Sequence, residues 1–188
     1  MNSDNDIPGG DGRSSQSLGP SAGFNEYFNS AMRGALIVSV GFLLQGLALV
    51  TFRWGLVSSL LYFLGLLAVP VLLYVVGRNY FREKVTGPVP YLTAASFLFW
   101  TLLLSLIVAA LIYYGAFYFL LNNPVFGEML DQSMTQLESF ISDRAVLEQM
   151  EASYAGLTAK SMTLSTCGTF FFFGTVYVYL IALFFRRS

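Results

Sequence analysis

The sequence predicts an all-α fold: a polytopic membrane protein of four transmembrane helices, with an extracytoplasmic amphipathic two-helix insertion between helices three and four. Three observations carry that prediction. The chain is 55 % hydrophobic and only 11 % charged, whereas about a quarter of the residues in a soluble domain carry charge. Four runs in it are apolar over about 18 or more residues, enough to cross the roughly 30 Å hydrocarbon layer at about 1.5 Å per residue. Between the third and fourth runs lies a polar segment, FGEMLDQSMTQLESFISDRAVLEQMEASY, in which apolar residues recur at helical spacing.

Residues 1–22 are rich in Ser, Asn, Asp, Gly and Pro, with Arg13 as their basic residue. They contain no apolar h-region, so they read as a disordered cytoplasmic tail and not as a cleaved signal peptide. Residues 23–188 form the transmembrane domain, with spans at about 32–52, 56–76, 97–121 and 162–185. In the second span the Leu, Val and Phe residues outweigh Ser58, Ser59 and Pro70. Pro70 is expected to kink that helix, because its missing N–H leaves the Leu66 carbonyl without a partner. Arg53, Trp54 and Gly55 leave almost no loop between spans one and two, which forces an antiparallel hairpin with Trp54 suited to the membrane interface. Gly87, Pro88, Val89 and Pro90 stiffen the entry to span three.

The insertion covers residues 124–158. Asn123 followed by Pro124 is a helix start, with Asn as the cap and Pro in the first turn. Phe126, Met129, Leu130, Met134, Leu137, Phe140 and Ile141 then fill one helical face, with Asp131 and Glu138 on the other. A second register starts after Ser142 and Asp143 and carries Val146, Leu147, Met150, Tyr154 and Leu157, with Glu148 and Glu151 pointing away. Each helix alone is marginal in water, so its apolar face needs a cover. Helices that lie on bilayers carry Lys and Arg on the polar face, whereas this one is acidic. The two helices are therefore expected to pack on each other and on the outer end of the bundle, with the bilayer surface as the alternative cover.

Orientation follows the basic residues. Arg13 and Arg33, then Arg78, Arg82 and Lys84, then Arg186 and Arg187 fall on one side, against Arg53, Arg144 and Lys160 on the other. Both termini are thus expected in the cytoplasm and the insertion outside.

The same residues limit the chemistry. There is no histidine and a single cysteine, Cys167, so an intramolecular disulfide and the usual zinc and iron ligand sets are excluded. A formal net charge of -1 offers no basic stripe for nucleic acid. No span contains Asp, Glu, His or Lys, which removes the bases and paired carboxylates of intramembrane hydrolysis and argues against proton coupling. The sequence therefore predicts no enzyme, no catalytic residue, no metal and no cofactor.

What remains within the spans is neutral and polar. Gln45 is the strongest donor and acceptor among them and is costly to bury unpaired, so it is expected to face another helix or a substrate. Ala31, Ala35 and Ser39 form a small-residue stripe in span one, and Ser161, Ser165 and Thr169 form another in span four, through which these helices are expected to pack. Gln45, Ser39, Ser165 and Thr169 are accordingly the expected interhelical polar contacts. Glu128, Asp131, Glu138, Glu148 and Glu151 are the expected partner surface; they lack the spaced oxygen ligands and turn glycine of a calcium loop. The expected partners are membrane lipids and other membrane proteins or further copies of the chain. A small transporter or lipid-handling subunit, with a path lined by neutral polar residues, is the alternative.

The layout resembles a known family. A tail and two tightly joined spans lead to the basic loop GRNYFREKVTG and a third span opening YLTAASFLFW. NNPVFGEML then starts a methionine-rich amphipathic pair, and a last span ends in basic residues. This is similar to domain of unknown function 4199, bacterial membrane proteins, over about Met32 to Ser188. The chain departs from that pattern at Pro88 and Pro90. The resemblance implies a four-helix protein of the bacterial inner membrane and brings no activity or functional residues.

Overall fold

A computed structural model describes residues 20–84, 89–141 and 144–185. The expected tail up to residue 19 lies outside the described residues, as do Gly87, Pro88, Ser142, Asp143, Arg186 and Arg187. The order along the chain is α1 (Pro20–Val50), α2 (Leu56–Lys84), α3 (Tyr91–Leu121), α4 (Pro124–Phe140), α5 (Arg144–Ala155) and α6 (Ala159–Phe185). Among the described residues there is no strand. Four of these helices, α1, α2, α3 and α6, are long and apolar enough to cross a membrane, with mean hydropathies of 1.8, 2.4, 2.4 and 1.9 in their most apolar stretches. The 31 residues of α3 extend to roughly 46 Å at 1.5 Å per residue, so its ends stand well outside a hydrocarbon layer of about 30 Å. Nothing in the hydropathy of the sequence marks such overhangs, because they are held by packing and capping.

The α1–α2 connection is as short as the sequence implies. Val50 leads into a single 3-10 turn at Phe52–Trp54, and Gly55 then turns the chain with a φ of 45°, the one positive φ among the described residues. A side chain would strain that conformation. The Ser58 hydroxyl donates to the Ala48 carbonyl across the hairpin at 2.6 Å, and Trp54 is exposed. Deeper down, α1 and α2 touch backbone to backbone: a Cβ on Gly65 would fall 2.6 Å from the Gly41 carbonyl oxygen. α2 runs on through Pro70.

In the bundle α1 lies against α2 and α3, and α6 lies against α3; α2 and α6 meet only lightly. The central position of α3 explains why its buried residues, among them Phe97, Leu98, Leu102, Leu106, Tyr113 and Phe117, recur along its whole length. Buried hydroxyls are satisfied within their own helices, Thr101 on Phe97 and Ser105 on Leu102, as a helix in lipid requires. The small-residue stripes do not meet as the sequence suggests. Ala31, Ala35 and Ser39 are buried, but Ser161, Ser165 and Thr169 are exposed on α6. α1 and α6 instead meet through an edge-to-face pair of Phe42 and Phe170, with ring centroids 5.3 Å apart.

At the end carrying Pro20 and Phe185, aromatic rings knit the four long helices together. Tyr80 stacks on Phe97 at 3.9 Å, Tyr27 and Phe81 each meet Phe97 edge-on at 5.6 Å, and Phe185 lies 5.3 Å from Phe81. Polar groups at this end are paired: the Tyr27 hydroxyl donates to Ser96 at 3.1 Å, and Lys84 bonds Glu26.

The insertion begins as the sequence predicts. The Asn123 side chain accepts from the Val125 N–H at 3.1 Å, with Pro124 in the first turn. α4 stops at Phe140 and α5 starts at Arg144, on either side of the predicted break. Thr158 and Ser161 exchange side-chain-to-backbone bonds of 3.1 Å at the start of α6, a reciprocal cap. The expected cover is only partial. α4 reaches the bundle through its first turn, where Phe126 meets Phe52 at 5.8 Å, and no described residue of α4 or α5 is buried. The two-residue link Asn122–Asn123 brings only that turn within reach of α3. Beyond it Leu130, Met134, Leu137, Leu147 and Met150 are half-buried, while Met129, Val146 and Phe140 stand exposed, Phe140 at 83 %.

Candidate functional site

Of the expected interhelical contacts, Gln45 is the one that the fold gathers into a cluster. It is fully buried, and its side chain lies where Gly65 of α2 leaves room, since a Cβ there would come 2.6 Å from Gln45 Cγ. Tyr113 of α3 donates its hydroxyl to Gln45 Oε1. The other amide atom, Nε2, has no hydrogen-bond partner among the described residues. Turning the amide over would leave Oε1 unpaired instead, so one of its polar atoms lacks a partner in either orientation. An unmet buried amide costs about 1–3 kcal/mol, so this one stands out in a core whose other polar groups are satisfied.

Aromatic rings hold the pair in place. Tyr113 stacks on Phe170 of α6 at 6.0 Å, nearly parallel, and meets Phe42 of α1 edge-on at 6.2 Å. Tyr62 of α2 and Cys167 of α6 are near enough to interact with it electrostatically. All four long helices therefore contribute to one layer. Gln45 comes five residues before the end of α1 at Val50 and Tyr113 eight before the end of α3 at Leu121, or roughly 8–12 Å below the insertion end of the bundle at 1.5 Å per residue.

Beside this layer lies a cleft of about 450 Å³ between α2 and α6. It exists because each of those helices packs firmly on another partner, α2 on α1 and α6 on α3, and only lightly on the other. Phe42 forms its floor; α2 supplies Tyr62, Leu66, Val69 and Pro70, and α6 supplies Ser165, Thr166, Thr169, Phe170, Phe173 and Tyr177. Two of the expected contacts, Ser165 and Thr169, thus lie on the cleft wall, where the Thr169 hydroxyl bonds the Ser165 carbonyl at 3.0 Å. Ser39 is buried elsewhere on α1 and bonds the Ala35 carbonyl at 2.7 Å.

The expected partner surface is spread along the insertion. Glu128, Asp131 and Glu148 are exposed, and Glu148 lies 3.5 Å from Arg144 in an exposed pair one turn apart, worth little in water. Glu138 and Glu151 fall within α4 and α5, while their side chains lie outside the described residues. Among the described residues no three His, Cys, Asp or Glu side chains are grouped to hold a metal.

Tyr113, Tyr62 and the cleft were not legible as a site in the sequence. A signal for the tyrosines existed, since Tyr is enriched at membrane interfaces, and a Tyr well inside an apolar run needs a partner for its hydroxyl.

A family model described as "Protein of unknown function (DUF4199)" matches residues 30–187. The chain belongs to this family. The match takes in all four long helices and the insertion of this DUF4199 protein, except for the first turns of α1. Comparison with curated proteins gave no match, and comparison with solved structures gave none either.

Proposed function

We propose that this DUF4199 protein is a non-enzymatic component of the bacterial inner membrane, with both termini in the cytoplasm, that acts by binding membrane partners through its outward helical insertion. One observation carries the reading: no described residue of α4 or α5 is buried, so Met129, Phe140 and Val146 stand exposed beside Glu128, Asp131 and Glu148. Amphipathic helices of this length need their apolar faces covered to be stable. An acidic polar face repels an anionic lipid surface, which favours a protein as the cover.

A photoreactive residue in place of Phe140, in the full chain in its own membrane, tests this. The expected result is a discrete adduct to one membrane protein or to a second copy, lost when Glu128, Asp131 and Glu148 are all changed to Lys. Adducts to lipid alone would overturn it. Orientation has its own check: a tag after Ser188 is expected to be reachable only once the inner membrane is opened.

A second reading, a lipid-handling or transport subunit, is supported by the unpaired Gln45 amide next to the α2/α6 cleft. Its test is a flux assay in which Gln45→Leu leaves insertion intact and abolishes transport.

A further inference from the structure

We propose that the cleft between α2 and α6 is a binding site for one acyl chain of a membrane phospholipid, with the lipid's ester region level with Gln45 and Tyr62. The inference deepens the second reading and is independent of what the insertion binds.

Depth is the first argument. The Gln45–Tyr113 layer lies roughly 8–12 Å below the insertion end of the bundle, and a 31-residue α3 overhangs a 30 Å hydrocarbon layer by about 8 Å on each side. The layer therefore falls where hydrocarbon gives way to the ester and headgroup region of that leaflet. Length is the second. From Ser165 to Tyr177 the α6 wall covers 13 residues, a rise of about 18 Å, close to the half-bilayer of about 15 Å that one lipid tail spans. A helix from a partner or a second copy would need a groove along the whole thickness, and this one stops near the middle.

The wall chemistry is graded in the same sense. Tyr62, Ser165, Thr166 and Thr169 place hydroxyls at the insertion end, and Val69, Pro70 and Phe173 line the deeper part, down to Tyr177. No charged side chain lines the cleft, so a neutral acceptor and a chain suit it, not an ion. A volume of about 450 Å³ is that of a small-ligand pocket.

Gln45, three residues from the Phe42 floor towards the insertion end, is fully buried and does not line the cleft, so it marks the level of the layer and is not itself a contact for the chain.

The test uses the full-length protein in vesicles of phosphatidylethanolamine and phosphatidylglycerol carrying a trace of phosphatidylcholine with a diazirine in its acyl chain. Photolabelling followed by peptide mapping is expected to concentrate label on residues 62–70 and 165–177. Label spread evenly around the lipid-facing surface would overturn the proposal. Native mass spectrometry of the protein extracted from the same vesicles then counts retained lipid. Thr169→Trp, which fills the cleft from an exposed position, is expected to retain about tenfold less, and Leu111→Trp, on an exposed face of α3, as much as the wild type. Equal retention by both variants, or equal loss, would overturn it.

Discussion

The two ends of the bundle are built on opposite plans. At the end carrying Pro20 and Phe185, rings from α1, α2, α3 and α6 close around Phe97, and the Tyr27 hydroxyl and Lys84 both find partners. At the insertion end the core holds an amide with an unpaired nitrogen, α2 and α6 leave a cleft, and the helices beyond fully bury none of their described residues. Stability is concentrated at the first end. Unmet interactions are concentrated at the second, which is where a binding site is to be sought, because an unsatisfied surface is what a ligand can satisfy.

The contrast predicts a gradient of mutational effects. Phe97→Ala, at the fully buried hub of the terminal aromatics, is expected to be the most damaging, at about 3–5 kcal/mol, read as loss of folded protein in denaturant titrations in micelles. Gly65→Leu comes next: its side chain would drive into the Gly41 carbonyl and Gln45, costing about 3 kcal/mol as an overpacked contact and lowering the thermal midpoint. Tyr113→Phe strips Gln45 of its hydrogen bond and should cost about 2 kcal/mol, while combining it with Gln45→Leu should recover part of that loss, since removing both partners is less damaging than orphaning one. Phe140→Ser, at 83 % exposure, should stay within about 0.5 kcal/mol in the isolated protein. A large loss there would mean that the insertion supports the bundle, and the contrast between the ends would fail.

The sequence discloses the parts of this fold that the bilayer itself dictates. Four long apolar runs had to be spans, the three residues Arg53, Trp54 and Gly55 had to make a tight hairpin, and Asn123–Pro124 had to start a helix. Neighbour relations were hidden for a physical reason. In lipid a helix is apolar on every side, so no amphipathic stripe says which face meets protein. Small-residue spacing marked the buried stripe of α1 and, with equal strength, the exposed one of α6. The contacts that decide the packing, Gly41 on Gly65 and Tyr113 on Gln45, pair residues far apart in the chain, and neither member of a pair announces the other. The insertion misled differently: its periodicity showed that a cover is needed but could not say that the described residues supply only part of it.

The turn at Thr51 to Gly55 also constrains how the molecule is made. With so few residues joining them, α1 and α2 have no slack in which one could cross the bilayer while the other waits in water. The two are therefore expected to enter the membrane as a hairpin, closed by the Ser58–Ala48 bond and the Gly41–Gly65 contact.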